Sequence, residues 1–156
     1  MARSGRFTLY HPGDDVTVEL VADGSGTVAD EGLAVELVGE GGDAPQAQLN
    51  GTAGNGVGVL TRHPDEYDDS MSYSANETIG KATISVTNPI EWMVPSDGYA
   101  ASVADPVVYD AGGTVRQVDF DGTAPDDTGD QVVGQVFTTA AKDFGHAGHI
   151  AVYRYR

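Results

Sequence analysis

The chain has no cysteine, which excludes disulfides and thiolate metal centres from its chemistry. Lysine is nearly absent: Lys81 and Lys142 are the two among 156 residues. No apolar run approaches the roughly 18 residues of a membrane-spanning helix. The opening stretch, MARSGRFTLYHPGDD, has no apolar segment of signal-peptide length. The motifs G-x-S-x-G, P-loop and H-E-x-x-H are all missing, so neither a hydrolase nor a nucleotide-binding enzyme is legible here. Gly54-Asn55-Gly56-Val57-Gly58 is glycine-rich, yet it opens a strand instead of a helix. It therefore offers phosphate no helix N-terminus and reads as a hairpin turn.

Acid is what the chain has in abundance. Asp and Glu number 24 against 8 Lys and Arg, for a net charge of −16. Such a surface repels itself in dilute buffer. At molar salt the Debye length falls to ~3 Å and the repulsion is screened. Short carboxylates with few lysine stems suit concentrated brine, and point to a halophilic archaeon or a virus infecting one. Phosphate would be repelled, which argues against direct nucleic-acid binding. With 40% hydrophobic residues, seven Tyr and four Phe, the chain is no disordered acidic tail. Its length allows one domain or two very small ones.

The apolar pattern has period two. Val16-Thr17-Val18-Glu19-Leu20 alternates, and L-A-V-E-L-V runs over 33–38. Further strands are expected over 57–61, 82–87, 106–109, 114–120, 132–138 and 149–155, separated by Gly, Asp, Asn or Pro. Helical signals are confined to single turns at 64–72 and 140–144. The expected fold is all-β, a compact β-sandwich or small β-barrel.

Two stretches about 75 residues apart resemble each other. Val28-Ala29-Asp30 matches Val103-Ala104-Asp105, Val57-Gly58 matches Val133-Gly134, and Gly80 to Val86 matches Gly148 to Tyr153. The organisation this suggests is an arm at 1–12 and a β domain at 13–156. If the repeat is a duplication, the domain divides into halves 13–88 and 96–156. The segment from Thr87 to Pro95 would then be the join, with prolines confining it to an edge or a connection.

Carboxylates crowd one loop: Asp119, Asp121, Asp126, Asp127 and Asp130. Hard cations want oxygen ligands at such density, so weakly bound Mg²⁺ or Ca²⁺ is one reading. A hydrated surface turn is the other, since the spacing is not that of an EF-hand. Asp65-Glu66-Tyr67-Asp68-Asp69 carries the same two readings. His146 and His149 have H-x-x-H spacing without an evident third zinc ligand. Trp92 with Tyr67, Tyr73 and Tyr99 would serve a carbohydrate- or ligand-binding groove if they gathered in one cleft.

The phrase Gly13-Asp14-Asp15-Val16-Thr17-Val18, with the V-G strand from Asp130 to Phe137 and a Gly-led last strand, resembles small β-rich head decoration (cement) proteins of tailed viruses. The resemblance covers about half of the chain. The insertion from Asp65 to Asn76 has no counterpart in that pattern. The resemblance implies a structural virion protein on the outside of an icosahedral capsid, made in the host cytoplasm and carried on the virion. It implies the major capsid protein as partner, self-association with a trimer favoured, no enzymatic activity, and no cofactor. It also implies an anchoring element. Arg3, Arg6, Phe7, Leu9 and Tyr10 are the residues of such an arm, since arginine and aromatics are enriched at binding hot spots. Arg154 and Arg156 of the last strand are the other candidates for a subunit contact. The plainer readings are a frayed N-terminus and a final strand that closes the sheet.

Overall fold

The computed structural model describes residues 15–86, 88–120, 127–140 and 148–155. The fold is all-β. Strands β1 (Asp15–Val21), β2 (Ala34–Glu40), β3 (Pro45–Leu49), β4 (Gly58–Arg62) and β5 (Thr78–Ser85) close into a barrel in the order β1-β3-β2-β4-β5. Strands β6 (Ile90–Met93), β7 (Pro106–Tyr109), β8 (Val115–Gln117), β9 (Gly134–Thr138) and β10 (Ile150–Arg154) form a second sheet in the order β6-β10-β9-β7-β8. A parallel bridge from Pro95 to Val115 brings the two ends of that sheet together. The period-two pattern has the physical cause expected of it. Val18, Leu20, Val35, Ala47, Leu60 and Ile84 point into the barrel and are buried. Each larger aliphatic side chain among them contributes about 1.5–3 kcal/mol by leaving water.

Two strands depart from the sequence reading. β3 (PQAQL) is held by pairing with both β1 and β2. The stretch taken as a join contains β6, whose four residues are all buried. Pro89 and Pro95 flank this strand without interrupting it, so the second unit begins before residue 96. No α-helix occurs among the described residues; 64–72 is a pair of turns, and 140–144 lies largely outside the described residues.

The two sheets follow one pairing diagram. Matching β1 with β6, β2 with β7, β3 with β8, β4 with β9 and β5 with β10 reproduces every neighbour relation, the parallel closure included. Register agrees as well. Val35 opposes Gly58 as Val107 opposes Gly134, and Leu37 opposes Ala47 as Tyr109 opposes Val115. Val16 opposes Ile84 as Glu91 opposes Val152, and Val59 opposes Ser85 as Gln135 opposes Tyr153. Loop hydrogen bonds repeat too: Gly32 N–H donates to the Leu60 carbonyl, and Ala104 N–H to the Val136 carbonyl. Both donors have left-handed backbone, φ 92° at Gly32 and 74° at Ala104. Gly58 and Gly134 are required by the same close approach. A Cβ on either would strike the backbone oxygen of its counterpart strand, Ser85 or Tyr153.

By this register Ala104 corresponds to Gly32, so the Val-Ala-Asp tripeptides are not equivalent and lie three positions out of step. The Val-Gly and terminal-strand matches fall on equivalent positions.

A dense seam locks the units into one body. Ala34 N–H donates to the Gly113 carbonyl (2.7 Å), Gly112 N–H to the Asn50 carbonyl (2.8 Å), and Gly54 N–H to the Tyr109 carbonyl (2.9 Å). The Asn50 amide donates to the Asp110 carbonyl at 2.8 Å. Ala34 and Val59, on the outside of the first barrel, join the apolar cluster of Met93, Val107, Tyr109, Val136 and Val152. The packing runs end to side: the end of the second unit rests on the flank of the first.

Candidate functional site

Strand alternation decides the fate of Arg154. It shares a face with Ile150 and Val152, and that face turns inward. Its guanidinium is buried and donates to the Ser85 carbonyl at 3.0 Å, from the last strand of the second unit to the last strand of the first. The expectation that Arg154 meets a subunit from the surface gives way to a seam role. Tyr109 reaches the same place, with Arg154 and Glu91 both close enough to act on its hydroxyl electrostatically. Burial pushes the Tyr109 hydroxyl pKa up. Arg3, Arg6, Phe7, Leu9, Tyr10 and Arg156 lie outside the described residues.

The acidic loop is likewise different from its sequence reading. Asp127 is buried and takes both arms of the Arg116 fork, at 2.6 and 2.9 Å, together with the Asp119 N–H at 2.8 Å. The Arg116 hydrogen bonds hold its carboxyl below the ordinary range, against burial, which acts the other way. Arg116 also reaches Asp110 at 3.3 Å. A carboxylate engaged in this way is a strut rather than an open metal ligand. Asp130 is exposed and accepts the Thr128 hydroxyl, and Asp119 is partly buried. Asp121 and Asp126 lie outside the described residues. Among the described residues no cluster of three or more His, Asp or Glu side chains is arranged to hold a metal ion.

The insertion after β4 is tied down. Tyr67 stacks on His63 at 4.0 Å between ring centroids, and Tyr73 lies parallel to Tyr67 at 6.0 Å. His63 in turn meets the Ala29 carbonyl through Nε2 at 2.7 Å. Gly26 packs directly under the Tyr73 main chain. The aromatic residues suggested for a ligand cleft are therefore dispersed. Tyr67 and Tyr73 serve this stack, Trp92 is buried, and Tyr99 donates to Asp105 at 3.0 Å.

A cavity of about 310 Å³ opens at the seam, lined by Glu31, Thr61, Glu91, Trp92 and His149. The two Glu91 oxygens there accept the Asn88 amide (2.9 Å) and the Trp92 N–H (3.1 Å). His146 lies outside the described residues. A larger groove of about 670 Å³ crosses the outer face of β1 and β5, where Glu19, Asp65 and Glu66 alternate with Arg62 and Lys81.

Every cation among the described residues is bound within the chain. Arg62 meets Asp65 at 3.5 Å, Lys81 meets Asp43 at 2.5 Å, Arg116 holds Asp127 and Asp110, and Arg154 holds Ser85. The four other cations, Arg3, Arg6, Lys142 and Arg156, all belong to segments outside the described residues. The outside of the described body is acid punctuated by apolar side chains, among them Leu37, Val38, Tyr153 and Tyr155. Comparison with protein-family models, with characterised proteins and with solved structures found no match to this chain.

Proposed function

We propose that the protein acts by binding rather than by catalysis, as a structural virion protein that decorates and braces the capsid of a tailed virus infecting halophilic archaea. The observation that carries this reading is the internal capture of the described cations. A body that binds its own positive charge and leaves a strongly acidic surface is built to stay dispersed in brine, where screening removes the cost of that charge. The locked double-β body supports the bracing part of the reading, since a brace transmits load only if its parts do not hinge. The major capsid protein is the partner in this reading. The segment with Arg3, Arg6, Phe7, Leu9 and Tyr10 is the anchor in this reading.

The test is a pelleting assay on purified haloarchaeal shells in about 2 M NaCl, where surface charge is screened. The full chain is expected to sediment with the shells in saturable fashion. A variant lacking residues 2–10 is expected to keep its melting temperature and remain in the supernatant. A full chain that never sediments with shells sinks the capsid role, and a truncated chain that sediments normally sinks the anchor.

A further inference from the structure

The end-to-side seam has a polarity, and each of its faces occurs twice in the chain. The end of the second unit is formed by Glu91, Tyr109 and Arg154, exposed to 3%, 3% and 7%. It rests on Ala34, Val59 and Ser85 of the first unit, exposed to 0%, 1% and 0%. The first unit owns a matching end. Register places Val16 where the second unit has Glu91, and Leu37 where it has Tyr109. Val86 stands where the second unit has Arg154 and is partly buried against the first core. The rest of that end is uncovered among the described residues: Val16 is 42% exposed, Leu37 50%, and neighbouring Val38 45%. The second unit owns a matching flank. Gln135 stands for Val59 and Tyr153 for Ser85. Tyr153 is 45% exposed and packs edge-on against Tyr155, itself 55% exposed, whose hydroxyl donates to Gln135.

One end and one flank thus close the seam inside the chain, and one end and one flank are left over. Both leftovers group exposed apolar or aromatic side chains on a body of strongly negative net charge, and grouped apolar exposure is how contact surfaces present themselves. We infer that the occupant is a second copy of this chain. The Val16–Leu37–Val38 end of one copy seats on the Gln135–Tyr153–Tyr155 flank of the next, repeating head to tail the packing already present within each chain. Such an interface is heterologous, so it closes into a ring or continues as a filament according to the rotation per step. Copies of charge −16 approach one another only where salt screens them.

The experiment is light scattering on size-fractionated protein in about 2 M NaCl, chosen for its short screening length. Wild type is expected at multiples of its 16.2 kDa mass. Leu37→Glu removes the end and Tyr153→Glu the flank, and each variant alone is expected to be a monomer. Mixed in equal amounts they are expected to form a dimer and nothing larger, because each still carries the face that the other needs. Met71→Glu, which adds the same charge on the insertion loop at a residue 55% exposed, is expected to assemble as wild type does. Melting temperatures of the variants control for folding; if either Glu variant melts early, the Gln substitution at that position replaces it. A monomeric wild type overturns the inference, as do single variants that assemble normally. A mixture that stays monomeric beside an assembling wild type also overturns it, since the contact would then join like faces. Shell binding is not involved in any of these outcomes, so the self-contact and the capsid role stand or fall separately.

Discussion

Gly134→Ala should unfasten the second unit, and the structure sets the size of the effect. A Cβ at residue 134 would lie on the Tyr153 carbonyl oxygen, 2.8 Å from the Tyr153 carbonyl carbon and 2.9 Å from the Arg154 Cα. These are atoms of the partner strand's main chain, so no side chain can swing away. Overpacking commonly costs 1–3 kcal/mol, and a clash with backbone belongs at the upper end, about 3 kcal/mol. For a protein of this size each kcal/mol lowers the melting temperature by about 2–4 °C, giving a drop of roughly 6–12 °C. Gly58→Ala meets the Ser85 oxygen in the same way and should fall comparably. Gly129→Ala meets nothing within 4 Å and should stay within about 0.5 kcal/mol of wild type. Thermal melts by circular dichroism in about 2 M NaCl compare all three under screened conditions. A Gly134→Ala protein melting within about 2 °C of wild type would refute the equivalence of the two glycines, given the expected slope.

Asp127→Asn should cost about 2 kcal/mol at neutral pH, the scale of hydrogen bonds to a charged partner, since Arg116 loses its ionised acceptor. The Asp127 pKa is depressed in the folded state, so its contribution is present above the ordinary value of 3.8 and fades as pH falls through the lower folded value. Denaturant titrations should therefore show the gap between wild type and variant closing in acid; a gap that persists there would refute the assignment. Tyr109→Phe should leave stability unchanged or raise it by up to ~1 kcal/mol, because the buried hydroxyl has no hydrogen-bond partner among the described residues, whereas Tyr109→Ala should lose ~3–5 kcal/mol of ring packing. Dialysis from about 2 M to about 10 mM NaCl lengthens the Debye reach from a few ångströms to ~30 Å and should lower the melting temperature. A melting temperature unchanged by dialysis would count against the halophilic reading.

Most of the strands were legible because short apolar, β-branched runs lie between Gly, Asp, Asn and Pro, even where burial runs through consecutive positions, as in β4, β7 and β10. β3 was not: Pro-Gln-Ala-Gln-Leu has no β-branched residue, and it becomes a strand through its neighbours' hydrogen bonds. β6 was hidden by Pro89 and Pro95, which read as a connection but only mark its two ends. The Val-Ala-Asp match misled because it compared residue types, while the turns are equivalent by backbone shape, Gly32 with Ala104. The role of Arg154 was half visible. Alternation placed it beside Ile150 and Val152, but charge suggested solvent, and only the flank of another unit makes an inward arginine tolerable. Asp127 is similar: the loop's acidity was plain, while its guanidinium partner sits 11 residues earlier in the chain, on β8.

The end-to-side seam also imposes an order of events on the growing chain. The first barrel closes as soon as β5 finds β1, so it can form before β6 exists. Its flank, with Ala34 and Val59, must then wait bare until the β7–β8 turn arrives, and the contact at Ser85 waits for β10. Long-range closures of this kind are slow, and exposed apolar flanks are where slow chains go astray. During that interval the bare flank is the right shape for the second unit of a neighbouring chain. The same geometry that finishes the monomer therefore makes domain exchange its natural folding error, most frequent where ribosomes crowd and salt quiets the repulsion between nascent chains.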